Sequence, residues 1–134
     1  MAFRLHRGKT KFIWLPVTTS TAFTNGGLVD FTSGLLTAAT SSSAAAALVG
    51  VIRHTIASTD ADYATARLVE VEVPVEKNVE WEFDTSSLVS TDIGVLADLT
   101  DSVTVNRGAS SVDVIRILRV ISSTKGIGVI LFQG

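Results

Sequence analysis

The chain has 134 residues, no cysteine and a formal net charge of −2. That length fits one domain, and the lack of cysteine excludes disulfides, thiolate metal sites and cysteine nucleophiles. Hydrophobic residues make up 46% of the chain, yet its longest apolar run, residues 44–49, is far short of the roughly 20 that cross a bilayer as a helix, so a soluble protein used without export and without a membrane is expected.

Charge is unevenly spread. Residues 1–29 hold Arg4, Arg7, Lys9 and Lys11 and no acid, whereas residues 60–101 hold eleven acids against Arg67 and Lys77. Opposed patches of this kind steer association between copies or onto another protein. Direct binding of nucleic acid is not expected, because the basic stretch is short and Phe3, Phe12 and Trp14 make no stacking platform with it. The organisation read from the sequence is a basic N-terminal arm over residues 1–11 and a single β domain over residues 12–134.

In chain order, Phe12-Ile13-Trp14-Leu15-Pro16-Val17 is a short apolar strand closed by Pro and a Thr/Ser cluster. Asn25-Gly26-Gly27 is a turn, since Asn and Gly accept positive φ at little cost. Residues 28–31 and 34–37 are short strand candidates. The low-complexity stretch from Thr40 to Ala47 fits one helical turn or a surface loop, and residues 48–56 read as a strand.

The clearest pattern runs from residue 66 to residue 84. Val69, Val71, Val73 and Val75 alternate with Glu70, Glu72 and Pro74; after Glu76-Lys77-Asn78, Val79, Trp81 and Phe83 alternate with Glu80, Glu82 and Asp84. Period-two alternation on both sides of three turn residues predicts a β-hairpin with Asn78 in the left-handed position. That hairpin pairs Val73 with Trp81 and sets Glu72 opposite Glu82 and Glu70 opposite Asp84. Residues 93–96 and 102–105 are further strand candidates around Asp98-Leu99-Thr100-Asp101. Residues 112–121 and 129–132 read as antiparallel neighbours. Many short strands with turns between them define a mostly β protein, a small barrel or sandwich of short antiparallel strands with an extended N-terminal arm.

Chemistry is harder to find. His6 and His54 lie 48 residues apart and offer no ligand cage. No Gly-x-Ser-x-Gly elbow, phosphate loop or dinucleotide fingerprint is present. The sequence therefore predicts no enzyme, no catalytic residue, no metal and no cofactor. The acids Glu70, Glu72, Glu80, Glu82 and Asp84 form the polar side of the expected hairpin. Three roles are open to them: a solvated face, a docking face for Lys or Arg of another subunit, or a metal or catalytic site.

Gly34-Leu35-Leu36-Thr37-Ala38-Ala39-Thr40, then Leu48-Val49-Gly50-Val51-Ile52, resembles the strand-and-turn segments of tailed-phage capsid decoration (cement) proteins. Thr91-Asp92-Ile93-Gly94-Val95, with Asp98-Leu99-Thr100-Asp101, Val103 and Val105, is similar to segments of the same group. Together they cover about half of the chain. The resemblance implies a structural virion protein on the capsid exterior, made in the host cytoplasm. Copies of such proteins, commonly homotrimers, clamp the major capsid protein. On that reading Phe3, Arg4, Arg7, Lys9 and Lys11 are the expected shell contacts, and Glu70, Glu72, Glu80, Glu82 and Asp84 an inter-subunit face. The alternatives are a head-fibre base, a tail protein or a carbohydrate-binding β module. The last needs exposed aromatics, and the hairpin reading turns Trp81 and Phe83 inward.

Overall fold

The computed structural model describes residues 3–132. The expected class is found: among these residues eleven strands form two sheets, joined by turns and two single-turn helices, Ala45–Ala47 and Ser90–Asp92. The first sheet runs β1 (Arg4–Arg7), β7 (Glu80–Asp84), β11 (Lys125–Ile130), β10 (Ile115–Ser122), β8 (Leu96–Asp101), β9 (Thr104–Asn106). A parallel bridge from Asp84 to Thr104 joins β9 back to β7, so five strands close into a small barrel with β1 laid along it. The second sheet runs β2 (Thr10–Pro16), β6 (Leu68–Pro74), β5 (Leu48–Ile52), β3 (Leu28–Thr32), β4 (Leu35–Ala38). An isolated bridge between Val17 and Leu36 brings its two ends together, so this sheet is rolled as well.

Two cores follow from this arrangement. Trp81, Phe83, Leu99, Ile115 and Ile117 fill the barrel, joined by Phe3 and by Leu28 and Val51 from the second sheet. Val29, Leu36, Ile52, Val69 and Val71 fill the second roll. Successive residues point to opposite faces of a strand. Leu28 and Val29, and likewise Val51 and Ile52, therefore reach different cores. Strand β5 and the start of β3 are buried on both sides and hold the two halves together.

The predicted hairpin is corrected. Its strands exist and Asn78 does take a left-handed φ of 62°, but β6 and β7 do not pair. β6 pairs with β2 and β5, while β7 pairs with β1 and β11. The connection is an arch between two sheets, with Val69, Val71 and Val73 going to one core and Val79, Trp81 and Phe83 to the other. Electrostatics favours the arch. A hairpin would face Glu72 with Glu82, and like charges directly opposite are destabilising; the arch gives Glu72 and Glu82 separate cations.

The basic segment read as an arm is extended, and both of its halves are strands of the body. β1 pairs with β7 in the first sheet, and β2 with β6 in the second. The chain crosses between sheets at Gly8, where φ is +112° and a Cβ would lie 3.0 Å from the Val79 backbone. Only glycine meets both demands without strain. Further along, residues 93 and 94 turn, Gly94 and Val95 bond to the Ile117 backbone outside any strand, and Asp98 to Asp101 belong to β8, not to a loop. Residues 115–130 form the expected antiparallel pair, β10 with β11.

Two buried carboxylates fix the loops around the barrel. Burial alone would raise the pKa of Asp98, but the N–H groups of Ser111, Val112 and Asp113, all within 2.9 Å, hold it below the ordinary 3.8. The hydrogen-bonded Arg107 guanidinium, helped by the Val89 N–H, does the same for Asp92. Since both folded-state values are depressed, the stability these groups contribute is present above pH 3.8 and is lost as pH falls through the lowered values. Thermal melts from pH 6 to pH 3 are expected to show a falling Tm in acid. Asp98→Asn should start from a lower Tm at pH 6 and decline less steeply; a parallel decline would remove Asp98 as a source of the acid sensitivity.

Candidate functional site

Strands β1 and β2 run one after the other along the edges of both sheets, and with the short link between them they carry the basic residues. Phe3, expected as a shell contact, is instead a core residue with 0% exposure. Its N–H donates to the Gly26 carbonyl at 2.9 Å, and its carbonyl accepts from Arg53 Nη1 at 3.2 Å. Arg4 forms an ion pair with Glu82. Arg7 stands opposite Glu80 in the β1–β7 register but makes no ion pair with it. Lys9 and Lys11 are exposed, and their ammonium groups have no acidic partner among the described residues. The Lys9 backbone N–H is tied to Glu76 Oε1 at 2.8 Å, so the chain carrying these cations is fixed.

The strap is held from beneath by a buried ion pair that sequence reasoning did not single out. Arg53 sends Nε and Nη2 to Glu72 Oε1 at 2.9 and 2.5 Å, while Thr10 Oγ1 donates to Glu72 Oε2 at 2.7 Å. Together with the bond to Phe3, one arginine and one glutamate grip both N-terminal strands. The only signal in the sequence was a charged residue at each of two positions that continue apolar strands.

The five acids expected as one inter-subunit face do not share a surface. Glu70 and Glu72 are on β6 of the second sheet, and Glu80, Glu82 and Asp84 are on β7 of the first. Glu72 is only 4% exposed and belongs to Arg53. Asp84 accepts from Lys125 Nζ at 3.0 Å, and Glu82 is shared between Arg4 and Lys125. Intramolecular cations occupy three of the five.

Elsewhere the described residues offer little chemistry. His6 and His54 are exposed, and no group of three or more His, Asp or Glu among the described residues could hold a metal ion. Ser43 Oγ donates to Asp30 Oδ2 at 2.6 Å and accepts from the Thr40 N–H at 2.9 Å, which pins the low-complexity loop. A cleft of about 820 Å³ lies beside the arch, lined by Val49, Val75, Lys77, Val79, Trp81 and Phe132 among others. Trp81 meets Phe132 edge-on at 6.3 Å, and its Nε1–H is buried without an acceptor among the described residues, a cost of about 1–3 kcal/mol. Glu76 and Lys77 are the titratable groups of that lining, and Glu76 already serves Lys9.

Fold and surface together define a small β-barrel protein with a basic edge held rigidly across two sheets. No protein-family model matches this chain, and no curated protein matches it.

Proposed function

We propose that this chain is a structural, non-catalytic virion protein that binds the outside of an icosahedral phage capsid. In this reading it acts as a homotrimer and clamps neighbouring major capsid protein subunits. The observation that carries the reading is the placement of Arg7, Lys9 and Lys11: three exposed cations without ion pairs among the described residues, on two hydrogen-bonded edge strands and the short link between them. Exposed charges fixed on a rigid frame speed and orient docking onto an oppositely charged surface without a large ordering cost. The sequence resemblance over residues 34–105 supplies the partner class.

The test is co-sedimentation with expanded, decoration-free capsids. Wild-type protein is expected to bind saturably, at a fixed ratio to capsid protein, and to raise the temperature at which shells break. Reversing Arg7, Lys9 and Lys11 to Glu should weaken binding by roughly tenfold or more and flatten its salt dependence. Arg4 is left intact because it pairs with Glu82. Undiminished binding of the triple variant would sink the role given to these cations, and no binding by the wild type would sink the capsid reading itself.

A further inference from the structure

The turn before β3 carries the one Asn-Gly pair of the chain, Asn25-Gly26. Asn25 is exposed, and its carboxamide has no hydrogen-bond partner among the described residues. Gly26, directly after it, is buried. The Gly27 N–H closes the turn on the Thr24 carbonyl at 2.9 Å, and Gly26 sits at the third position with φ +91°. That is a type II turn, whose third position favours glycine.

An Asn-Gly pair has a chemistry of its own. Once the glycine nitrogen loses its proton it attacks the asparagine Cγ; the new N–C bond closes a five-membered imide, the bond to the side-chain nitrogen breaks, and ammonia leaves. Water then opens the imide at either carbonyl. One product is aspartate, and the other is isoaspartate, whose main chain runs through the former side chain. Glycine is the reactive neighbour because it has no Cβ to hinder the approach.

In this fold the nucleophile is occupied. The Gly26 N–H donates to the Ile52 carbonyl at 2.8 Å, and the Ile52 N–H returns a bond to the Gly27 carbonyl at 2.9 Å. The Gly26 carbonyl in turn accepts the Phe3 N–H at 2.9 Å. Attack requires the Gly26 nitrogen to leave Ile52, shed its proton and swing toward the Asn25 side chain. A buried amide that gives up its acceptor in this way carries an unpaired polar group, which slows the reaction.

We infer that Asn25-Gly26 is a latent modification site, silent while the turn is locked between Phe3 and β5 and converted to aspartate and isoaspartate when the N-terminal strap lifts and the turn opens with it. Lock and strap are one network, because Arg53 Nη1 donates to the Phe3 carbonyl at 3.2 Å while Phe3 bonds Gly26. The two products differ in consequence. Aspartate adds one exposed charge and leaves the backbone length unchanged. Isoaspartate adds a methylene to the main chain inside the turn, so Gly26 no longer fits Phe3 and Ile52 together. Conversion is then a one-way record of strap opening, whatever the chain binds.

The test follows folded protein in mildly alkaline buffer by mass-spectrometric peptide mapping, with isoaspartate counted by enzymatic methyl transfer. Asn78 and Asn106, which precede Val79 and Arg107, are internal references. In the urea-unfolded chain Asn25 should react fastest of the three, and folding should slow it about 30-fold or more. Arg53→Ala, held at a temperature where circular dichroism shows it folded, should convert about tenfold faster than wild type. Asn25→Ser should remove the signal and leave the melt unchanged. Wild type in urea below its midpoint gives an independent reading: conversion through a lifted strap should depend on urea less steeply than global unfolding does. A folded chain that converts as fast as the unfolded one would show that the turn holds nothing back. Conversion of Arg53→Ala no faster than wild type, or a urea slope equal to that of global unfolding, would show that the strap is not the gate. Any of these results overturns the inference.

Discussion

Arg53→Ala is expected to be among the most damaging polar substitutions in this protein. The guanidinium has 20% side-chain exposure and the Glu72 carboxylate 5%, so removing Arg53 strands a nearly buried charge. Breaking such a pair from one side costs about 3–5 kcal/mol, and the partial exposure of Arg53 points to about 3. For a domain of this size that corresponds to a Tm lower by roughly 12 °C. The loss has a location as well. Arg53 and Glu72 hold the Phe3 carbonyl and the Thr10 hydroxyl, so amide exchange should rise first in residues 3–16. The double variant Arg53→Met with Glu72→Leu removes both charges and should lose less than Arg53→Ala alone, because no uncompensated charge remains. A double variant as unstable as the single one would show that the hydrogen bonds to Phe3 and Thr10, not the buried charge, set the cost.

This pair also shows where reading the sequence stopped. Alternation from Val69 to Asp84 marked both strands and their apolar faces, because period two is a local property of the backbone. It could not say which sheet each strand joins. An apolar face is satisfied by any core, and the choice here turns on where Arg53, Arg4 and Lys125 lie in space. Glu72 read as solvated because it alternates with valines. In the fold the Glu72 end of that side of β6 is closed by Arg53 and by Thr10, and Thr10 lies about sixty positions away.

The candidate surface was half legible for a related reason. The cations Arg7, Lys9 and Lys11 stood out as a run without acids, and they remain exposed. Phe3 was grouped with them by neighbourhood, yet it follows the barrel core, since β1 pairs with β7. Phe12 and Trp14 read as part of one apolar run with Ile13 and Leu15. A strand apolar on both phases is either covered on both faces, as β5 is, or left with an apolar face outside, as β2 is. Periodicity cannot choose between those outcomes, because the cover is tertiary.

The other large effect is expected at Gly50, within the Val49-Gly50-Val51 segment that carried part of the family resemblance. Its backbone lies in the ordinary range, so conformational freedom is not what the position needs. Space is. A Cβ there would stand 2.4 Å from the Glu72 carbonyl oxygen and 2.8 and 2.9 Å from Cγ1 of Val71 and Val73. A flexible side chain could yield, but the nearest atom is backbone of the neighbouring strand, so β5 and β6 must part. Overpacking of this kind costs about 1–3 kcal/mol when side chains can adjust; Gly50→Ala should lie at or beyond the upper end. With a urea m-value of about 1.5 kcal/mol/M the midpoint should fall by about 2 M. Gly94→Ala separates the two demands on glycine. Nothing lies within 4 Å of a Cβ at Gly94, and its φ is +87°, so only the cost of positive φ applies, about 1 kcal/mol. Because the Gly50 clash displaces the residue that Arg53 grips, Gly50→Ala and Arg53→Ala should combine to less than the sum of their separate losses. Strict additivity would mean that β5 and β6 separate without disturbing the ion pair, and would place the strain of Gly50→Ala on the valine side of the sheet instead.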